Sequence, residues 1–286
     1  MSLTNLPIAI TGASSGIGAA TAIACAQAGM PVALAARREE KLRDVAEVIE
    51  RAGGKAIVVV CDVAQKEDCE RLVAETVKAF GRIYSVFANA GYGGGKSAME
   101  MPEADIRAMF ETNFWGSLHL ARAAVPHLLK NEQIGPRQQR GHVLFCSSCL
   151  SKIGVPKYSA YCASKAMQDH YARAMRHELR DSQVFVSSVH PIGTRTEFFE
   201  KAKRRGAELI DMTKDSSMQS PTVVANAVVK CLRKPHSEVW TSPLTRFALG
   251  CATIMPDTAD WVLHKLYKQR TTRTPRASVG EQQVRD

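Results

Sequence analysis

Seven short apolar runs alternate with stretches of helical periodicity through the first 241 residues, and that alternation leaves few folds open to the chain. The runs lie at 7–11, 31–36, 55–60, 85–88, 141–146, 184–190 and 238–241; helical patterns occupy 17–28, 39–52, 65–80, 105–129, 158–179 and 221–232. Strands joined through helices run parallel, and right-handed crossovers lay those helices on both faces of the sheet. The expected fold is therefore α/β: a doubly wound parallel sheet, Rossmann-like, of about seven strands in the order 3-2-1-4-5-6-7. The last helical pattern is well punctuated, with Ser220 as N-cap, Pro221 at the first helical position and Pro235 beyond its end.

A chain of 286 residues can bury the core of one large domain, and no linker divides it. Residues 1–269 are read as that domain and 270–286 as a polar, flexible C-terminal tail. No apolar run approaches the roughly 18 to 20 residues of a membrane span. The N-terminus enters a strand by Pro7 without a basic segment before a long apolar one, which argues against a signal peptide and for a cytoplasmic location. The eight cysteines, at 25, 61, 69, 146, 149, 162, 231 and 251, are scattered through predicted strands and helices and read as reduced thiols. Cys146 and Cys149 match C-x-x-C, yet Cys146 falls in a strand rather than at a helix N-terminus, and no second pair or HExxH accompanies them. No metal site is expected.

The net charge of +10 gathers in two clusters, Lys201, Lys203, Arg204 and Arg205, and then Lys265, Lys268, Arg270, Arg273 and Arg276. No helix-turn-helix or aromatic-studded basic sheet goes with them, so nucleic acid is not expected and solvated surface is the first reading.

Two motifs carry chemistry. Thr11-Gly12-Ala13-Ser14-Ser15-Gly16-Ile17-Gly18 stands between the first strand and the first helix. Glycines there let backbone approach a pyrophosphate, and the helix N-terminus favours its charge. Tyr161 and Lys165 are four apart at the opening of a helix, hence on one face, where an ammonium favours the phenolate and lowers the phenol's pKa. Ser148, thirteen residues before the tyrosine, ends a strand, where its hydroxyl can bond the same oxygen as Tyr161. Together they suit proton transfer to a carbonyl oxygen.

Thr11 to Gly18, Asn89-Ala90-Gly91, Asn113, Ser148, Tyr161 and Lys165 occur in the order and spacing of the classical short-chain dehydrogenases/reductases, which this chain resembles over roughly residues 5–200. The resemblance implies an NAD(P)-dependent oxidoreductase, usually a homodimer or homotetramer, acting on a small carbonyl or alcohol. It implies that Ser14, Ser15 and Ile17 with the glycines cradle the dinucleotide, that Asp62 and Val63 lie at the adenine, and that Asn89, Ala90 and Gly91 line the adenosine ribose. Asn113 resembles the family's fourth catalytic residue, which bends its helix and holds a water linked to the lysine. Where the family reads Pro-Gly-x-x-x-Thr, this chain has Pro191 and Thr196 with Ile192 in the glycine's place and Gly193 one later, so the contacts of Pro191, Thr194 and Thr196 with the carboxamide are expected to shift.

The second strand ends Ala36-Arg37-Arg38, with no acid to accept from a ribose 2′-hydroxyl and two guanidiniums able to fork onto a 2′-phosphate. NADP(H) is therefore expected over NAD(H). Residues 194–220 occupy the place of the family's substrate lid, where Phe198 and Phe199 suit an apolar substrate or ordinary helix packing. The apolar, basic-flanked segment at 244–268 has three readings: subunit contact first, then a lipophilic pocket or an anionic membrane surface. The leading function is an NADP(H)-dependent carbonyl reductase or alcohol dehydrogenase. A catalytically silent dinucleotide sensor acting through a partner is the alternative.

Overall fold

The structure is a computed structural model and describes residues 1–204 and 218–271. Its sheet has seven strands: β1 Ile8–Thr11, β2 Val32–Ala36, β3 Ala56–Val60, β4 Ser85–Ala88, β5 Gly141–Cys146, β6 Val184–His190 and β7 Glu238–Trp240. All pairings are parallel and the order is β3-β2-β1-β4-β5-β6-β7, as the alternation predicts. Residue 8 pairs with both Val32 and Ser85, so the order reverses on either side of β1, and the crevice at the carboxyl ends of β1 and β4 is the switch point where such sheets bind ligands.

Helices α1 Gly16–Gln27, α2 Glu39–Arg51, α3 Lys66–Phe80, α4 Glu103–Phe110, α5 Gly116–Leu128, α6 Ser159–Glu178, α7 Glu197–Arg204 and α8 Pro221–Arg233 surround the sheet. The central strands are apolar on both faces because both are covered. Ile8, Ile10 and Leu34 pack with Ala22, Val224 and Val228 on one side. Ala9, Val86 and Phe145 pack with Leu72, Leu120 and Ala172 on the other. Burying a side chain of this size is worth about 1.5–3 kcal/mol. Ser220 caps α8 through the Thr222 N–H at 3.3 Å, ahead of Pro221.

Three departures from the sequence-based expectation matter. The helical pattern over 105–129 is interrupted, since α4 and α5 are separated by a π-helical turn, Glu111–Trp115, that carries Asn113. The apolar 244–268 segment forms two helices, α9 Pro243–Ile254 and α10 Pro256–Thr271. Helix α10 therefore takes in the first two residues of the expected tail; the remainder of that tail, and lid residues 205–217, lie outside the described residues.

Candidate active site

The turn after β1 is built for close approach. Gly12 and Gly16 adopt φ of +66° and +56°, which side-chain-bearing residues rarely take up. A Cβ on Gly12 would stand 2.9 Å from the Ala90 Cα, and one on Gly18 would stand 2.3 Å from the Gly12 carbonyl oxygen. Thr11 ties the loop to the next strand end: its hydroxyl accepts from the Asn89 and Ala90 amides at 3.1 and 3.2 Å, and the Asn89 side chain donates to the Thr11 carbonyl at 3.0 Å. The glycines thus leave the turn at the start of α1 without side chains of its own at positions 12, 16 and 18, where backbone amides at a helix N-terminus fit a pyrophosphate.

Arg38, at the end of β2, donates to the hydroxyls of Ser14 and Ser15, both at 3.1 Å. Arg37 is more exposed and points toward Asp62, 3.7 Å away. Asp62 also accepts from the Ala64 amide at 3.2 Å, and Val63 is buried against Gly116.

Ser148 follows β5, and its hydroxyl accepts the Leu150 amide at 3.1 Å and hydrogen-bonds the Tyr161 phenol. Tyr161 and Lys165 share a face of α6, the spacing having placed them there. Lys165 is buried; its ammonium donates to the Cys146 carbonyl at 2.7 Å and to Gln168 Oε1 at 3.3 Å. Burial holds Lys165 down to about 8 and pushes the Tyr161 phenol above its ordinary value, with the Ser148 hydrogen bond opposing that rise. The expected net lowering of the phenol is thus corrected: desolvation outweighs the opposing influences at Tyr161, and the ammonium is engaged by a backbone carbonyl and an amide.

Asn113 is fully buried in the π turn. Its side chain accepts from the Tyr92 amide and donates to the Tyr92 carbonyl, both at 2.9 Å, which clamps the chain just beyond Gly91. Its carbonyl accepts from the Ser117 hydroxyl at 2.7 Å and from Gln168 Nε2 at 3.1 Å. Gln168, absent from the expected set, therefore bridges Lys165 and the Asn113 carbonyl. Nothing local signals this role, because both partners come from elsewhere in the chain or from the helix turn before it.

The segment after β6 folds back over the glycine turn. A Cβ on Gly16 would meet Thr196 at 2.9 Å, so Thr196 sits against the turn, whereas Thr194 is tied to Gln219 at 3.1 Å and to the Ile192 carbonyl at 2.8 Å. Pro191 accepts from the Cys149 amide at 3.0 Å. Beyond Thr196, Glu197 pairs with Arg38 at 3.0 Å and with Lys201 at 2.6 Å. The Phe198 ring meets Tyr161 edge-on with centroids 5.6 Å apart. A cavity of about 390 Å³ opens alongside, lined by Tyr92, Gly93, Gly94, Met101 and Met109 among others.

Behind Ser148, Asp169, His190 and Glu238 gather with potential ligand atoms within 4.8 Å of one another. The Lys152 ammonium already supplies the cation, at 2.6 Å from Asp169 and 3.0 Å from Glu238. Cys146 and Cys149 are free thiols, each pushed up to about 11 chiefly by burial.

Comparison with known proteins agrees with this arrangement. The short chain dehydrogenase family model matches residues 7–206. The 11-beta-hydroxysteroid dehydrogenase A of Sesamum indicum is 30% identical over 269 residues, covering 91% of this chain and 75% of that protein. A short chain dehydrogenase/reductase from Burkholderia phymatum, solved in complex with NAD, superimposes with a TM-score of 0.78 at 24% identity, covering 87% of this chain and 93% of that one, and speaks for the fold alone. An alcohol dehydrogenase from Thermococcus sibiricus complexed with 5-hydroxy-NADP gives 0.71 at 27% identity, covering 82% and 95%. The chain belongs to the short chain dehydrogenases, an oxidoreductase family whose fold binds a nicotinamide dinucleotide.

Proposed function

We propose that this protein is an NADP(H)-dependent oxidoreductase that interconverts a ketone or aldehyde with the corresponding alcohol, using Tyr161 as acid and base. The observation that supports the reading is the Ser148–Tyr161 hydrogen bond, with Lys165 and Tyr161 lying against Gly91 and Gly93 just beyond β4 at the switch-point crevice. Gly12, Ser14, Ser15, Gly16, Ile17 and Gly18 would hold the pyrophosphate, Asp62 and Val63 the adenine, and Asn89, Ala90 and Gly91 the adenosine ribose; Pro191, Thr194 and Thr196 would flank the nicotinamide end. Bound there, the dinucleotide supplies a hydride in reduction and accepts one in oxidation.

The chain's own groups supply the rest. Ser148 donates to the substrate oxygen and orients it. Tyr161 gives its proton to that oxygen as charge develops there, and the tyrosinate takes the proton back from an alcohol in the reverse direction. Lys165 holds the nicotinamide ribose with the donor left beyond Cys146 and Gln168, and its charge stabilises the tyrosinate. Asn113 keeps the backbone at Tyr92 in place.

Preference for NADP(H) rests on Arg38, which lies over Ser14 and Ser15, and on the absence of an acid at the end of β2. Arg37 stands beside it, within reach of the same phosphate. A lipophilic substrate suits the apolar wall that Phe198, Met101 and Met109 form near Tyr161, and the relative from Sesamum indicum is named for a steroid substrate. Carbonyl reduction by a homodimer or homotetramer in the cytoplasm completes the reading.

The test is oxidation of NADPH and NADH, followed by loss of reduced-nicotinamide absorbance, across aliphatic, cyclic, aromatic and steroid-like ketones. Turnover that favours NADPH and disappears in Tyr161→Phe, with NADPH binding retained, is the expected result. Substantial turnover by Tyr161→Phe would overturn the assignment.

A further inference from the structure

Helix α9 is apolar on every side, with Arg246 its one charged residue. A helix of that kind belongs in a core or in lipid, yet none of its residues is buried. Thr245, Leu249 and Ala252 form its half-buried side; Leu244, Phe247 and Ile254 form an outer stripe that is 77, 72 and 81% exposed. Helix α10 packs on α9 and extends the face with Trp261, 63% exposed, and Leu266. Phe247 and Trp261 alone leave on the order of 200 Å² of aromatic surface in water, and Leu244, Ile254 and Leu266 enlarge the apolar patch toward the few hundred Å² at which such patches mark interaction sites.

The charges around this face choose the partner. Arg246 flanks the stripe, and the Lys265 ammonium lies 5.1 Å from the centre of the Trp261 ring, an arrangement suited to an aromatic ring at headgroup depth beneath a cation. From Trp261 to Lys268, α10 holds two lysines and no acid; Asp257 and Asp260 are confined to its first half. A symmetric contact with a second copy would set this basic run, on a chain of net charge +10, against itself. An anionic surface meets both the charge and the apolar stripe.

We propose that the outer face of α9 and α10 docks on an anionic lipid bilayer, with Leu244, Phe247, Ile254 and Trp261 entering the headgroup boundary. The face adjoins the reaction site, because α9 packs against the short helix Cys149–Lys152 that directly follows Ser148. Docking there would set the region of the site beside the phase in which a lipophilic ketone concentrates. The proposal goes beyond the enzymatic reading and does not depend on it.

Co-sedimentation of the full chain with vesicles of phosphatidylcholine, with and without roughly 30% phosphatidylglycerol, tests it. Binding is expected only to the anionic vesicles, weakening severalfold as salt rises from about 0.1 to about 0.5 M. Phe247→Asp with Ile254→Asp should reduce binding at least about tenfold, Lys265→Glu with Lys268→Glu severalfold. Light scattering of the same variants supplies the second arm. Equal binding to both kinds of vesicle, or none to either, overturns the proposal, as does a fall in subunit number in Phe247→Asp/Ile254→Asp with vesicle binding unchanged, which would assign the face to a second copy. Neither result bears on the redox reading, which soluble ketones test separately.

Discussion

The guanidinium of Arg38 lies 3.0 Å from the carboxylate of Glu197, so a residue of the segment after β6 occupies the guanidinium best placed for a 2′-phosphate. Lys201 first and Arg38 second hold the Glu197 carboxyl down to about 2, and the carboxylate stays charged at any working pH. A 2′-phosphate arriving at Arg38 would meet a like charge already paired there.

Replacing Glu197 with Gln should therefore tighten NADPH binding by about twofold to fivefold, a modest gain because the pair is partly exposed and screened. NADH binding should not change. Arg38→Leu acts in the opposite sense: loss of charge-assisted hydrogen bonds worth about 1.5–3 kcal/mol predicts a rise of roughly tenfold to a hundredfold in KM for NADPH, with NADH little affected. Titration of both cofactors against both variants checks the pair, and equal effects on the two cofactors would remove Arg38 from the phosphate.

Lys165 gives a pH prediction. Burial lowers its ammonium from 10.5 to about 8. Between those values the unfolded chain binds the additional proton, so stability from this group rises with pH across the window and its cost is constant below it. Activity moves the other way. Above about pH 8 the neutral amine no longer stabilises a tyrosinate, and kcat/KM for NADPH should bend downward there. Lys165→Met should lose that bend along with most of its turnover; a bend that survives the substitution belongs to another group.

Gln168 joins Lys165 to the Asn113 carbonyl, and that carbonyl already accepts the Ser117 hydroxyl. Both lone pairs of the oxygen are thereby engaged by side chains. Gln168→Leu should free one lone pair of the carbonyl and remove one acceptor from the ammonium. We expect a fall of about tenfold in kcat and a displaced basic limb in the pH profile, with thermal stability lowered by about 1–2 kcal/mol. A variant that loses stability while its pH profile stays in place would mark Gln168 as structural only.

The sheet and the glycine turn were legible because their causes are local. Doubly covered strands must be apolar throughout, and positive φ at Gly12 and Gly16 demands glycine. Tyr161, Lys165 and Ser148 could be placed for the same reason, by helix spacing and by a strand end. The π turn at Asn113 was not legible in the periodicity, which runs on through Glu111–Trp115; only the family resemblance implied a bend there, and the contacts with Tyr92 and Gln168 reveal its use. Glu197 and Phe198 reach the site through the fold of the segment after β6, which no spacing records. The C-terminal helices did leave a signal: Ser242 caps α9 ahead of Pro243, and Pro256 opens α10, the punctuation that identified α8. Which arginine turns inward could not be read from Arg37-Arg38, because the answer lies in Ser14, Ser15 and Asp62.

The cluster behind Ser148 yields a stability prediction. Lys152 neutralises Asp169 and Glu238, which pack with the stacked rings of His190 and Trp240. His190 Nδ1 lies 3.1 Å from the Ser148 carbonyl, so the cluster supports the turn that presents the serine. Burial opposes ionisation of Glu238, but the Trp240 N–H and the Lys152 ammonium outweigh it and hold the carboxyl down to about 2. Lys152→Met leaves two carboxylates without their cation and should cost about 3–5 kcal/mol. Glu238's folded value lies below its ordinary 4.5, so its contribution is present above that pH and is lost as pH falls toward 2. Denaturant melts of the wild type should weaken through that interval, whereas Glu238→Gln should show a shallower slope there. A slope equal to that of the wild type would place the acid sensitivity at other carboxylates and reduce the cluster to packing.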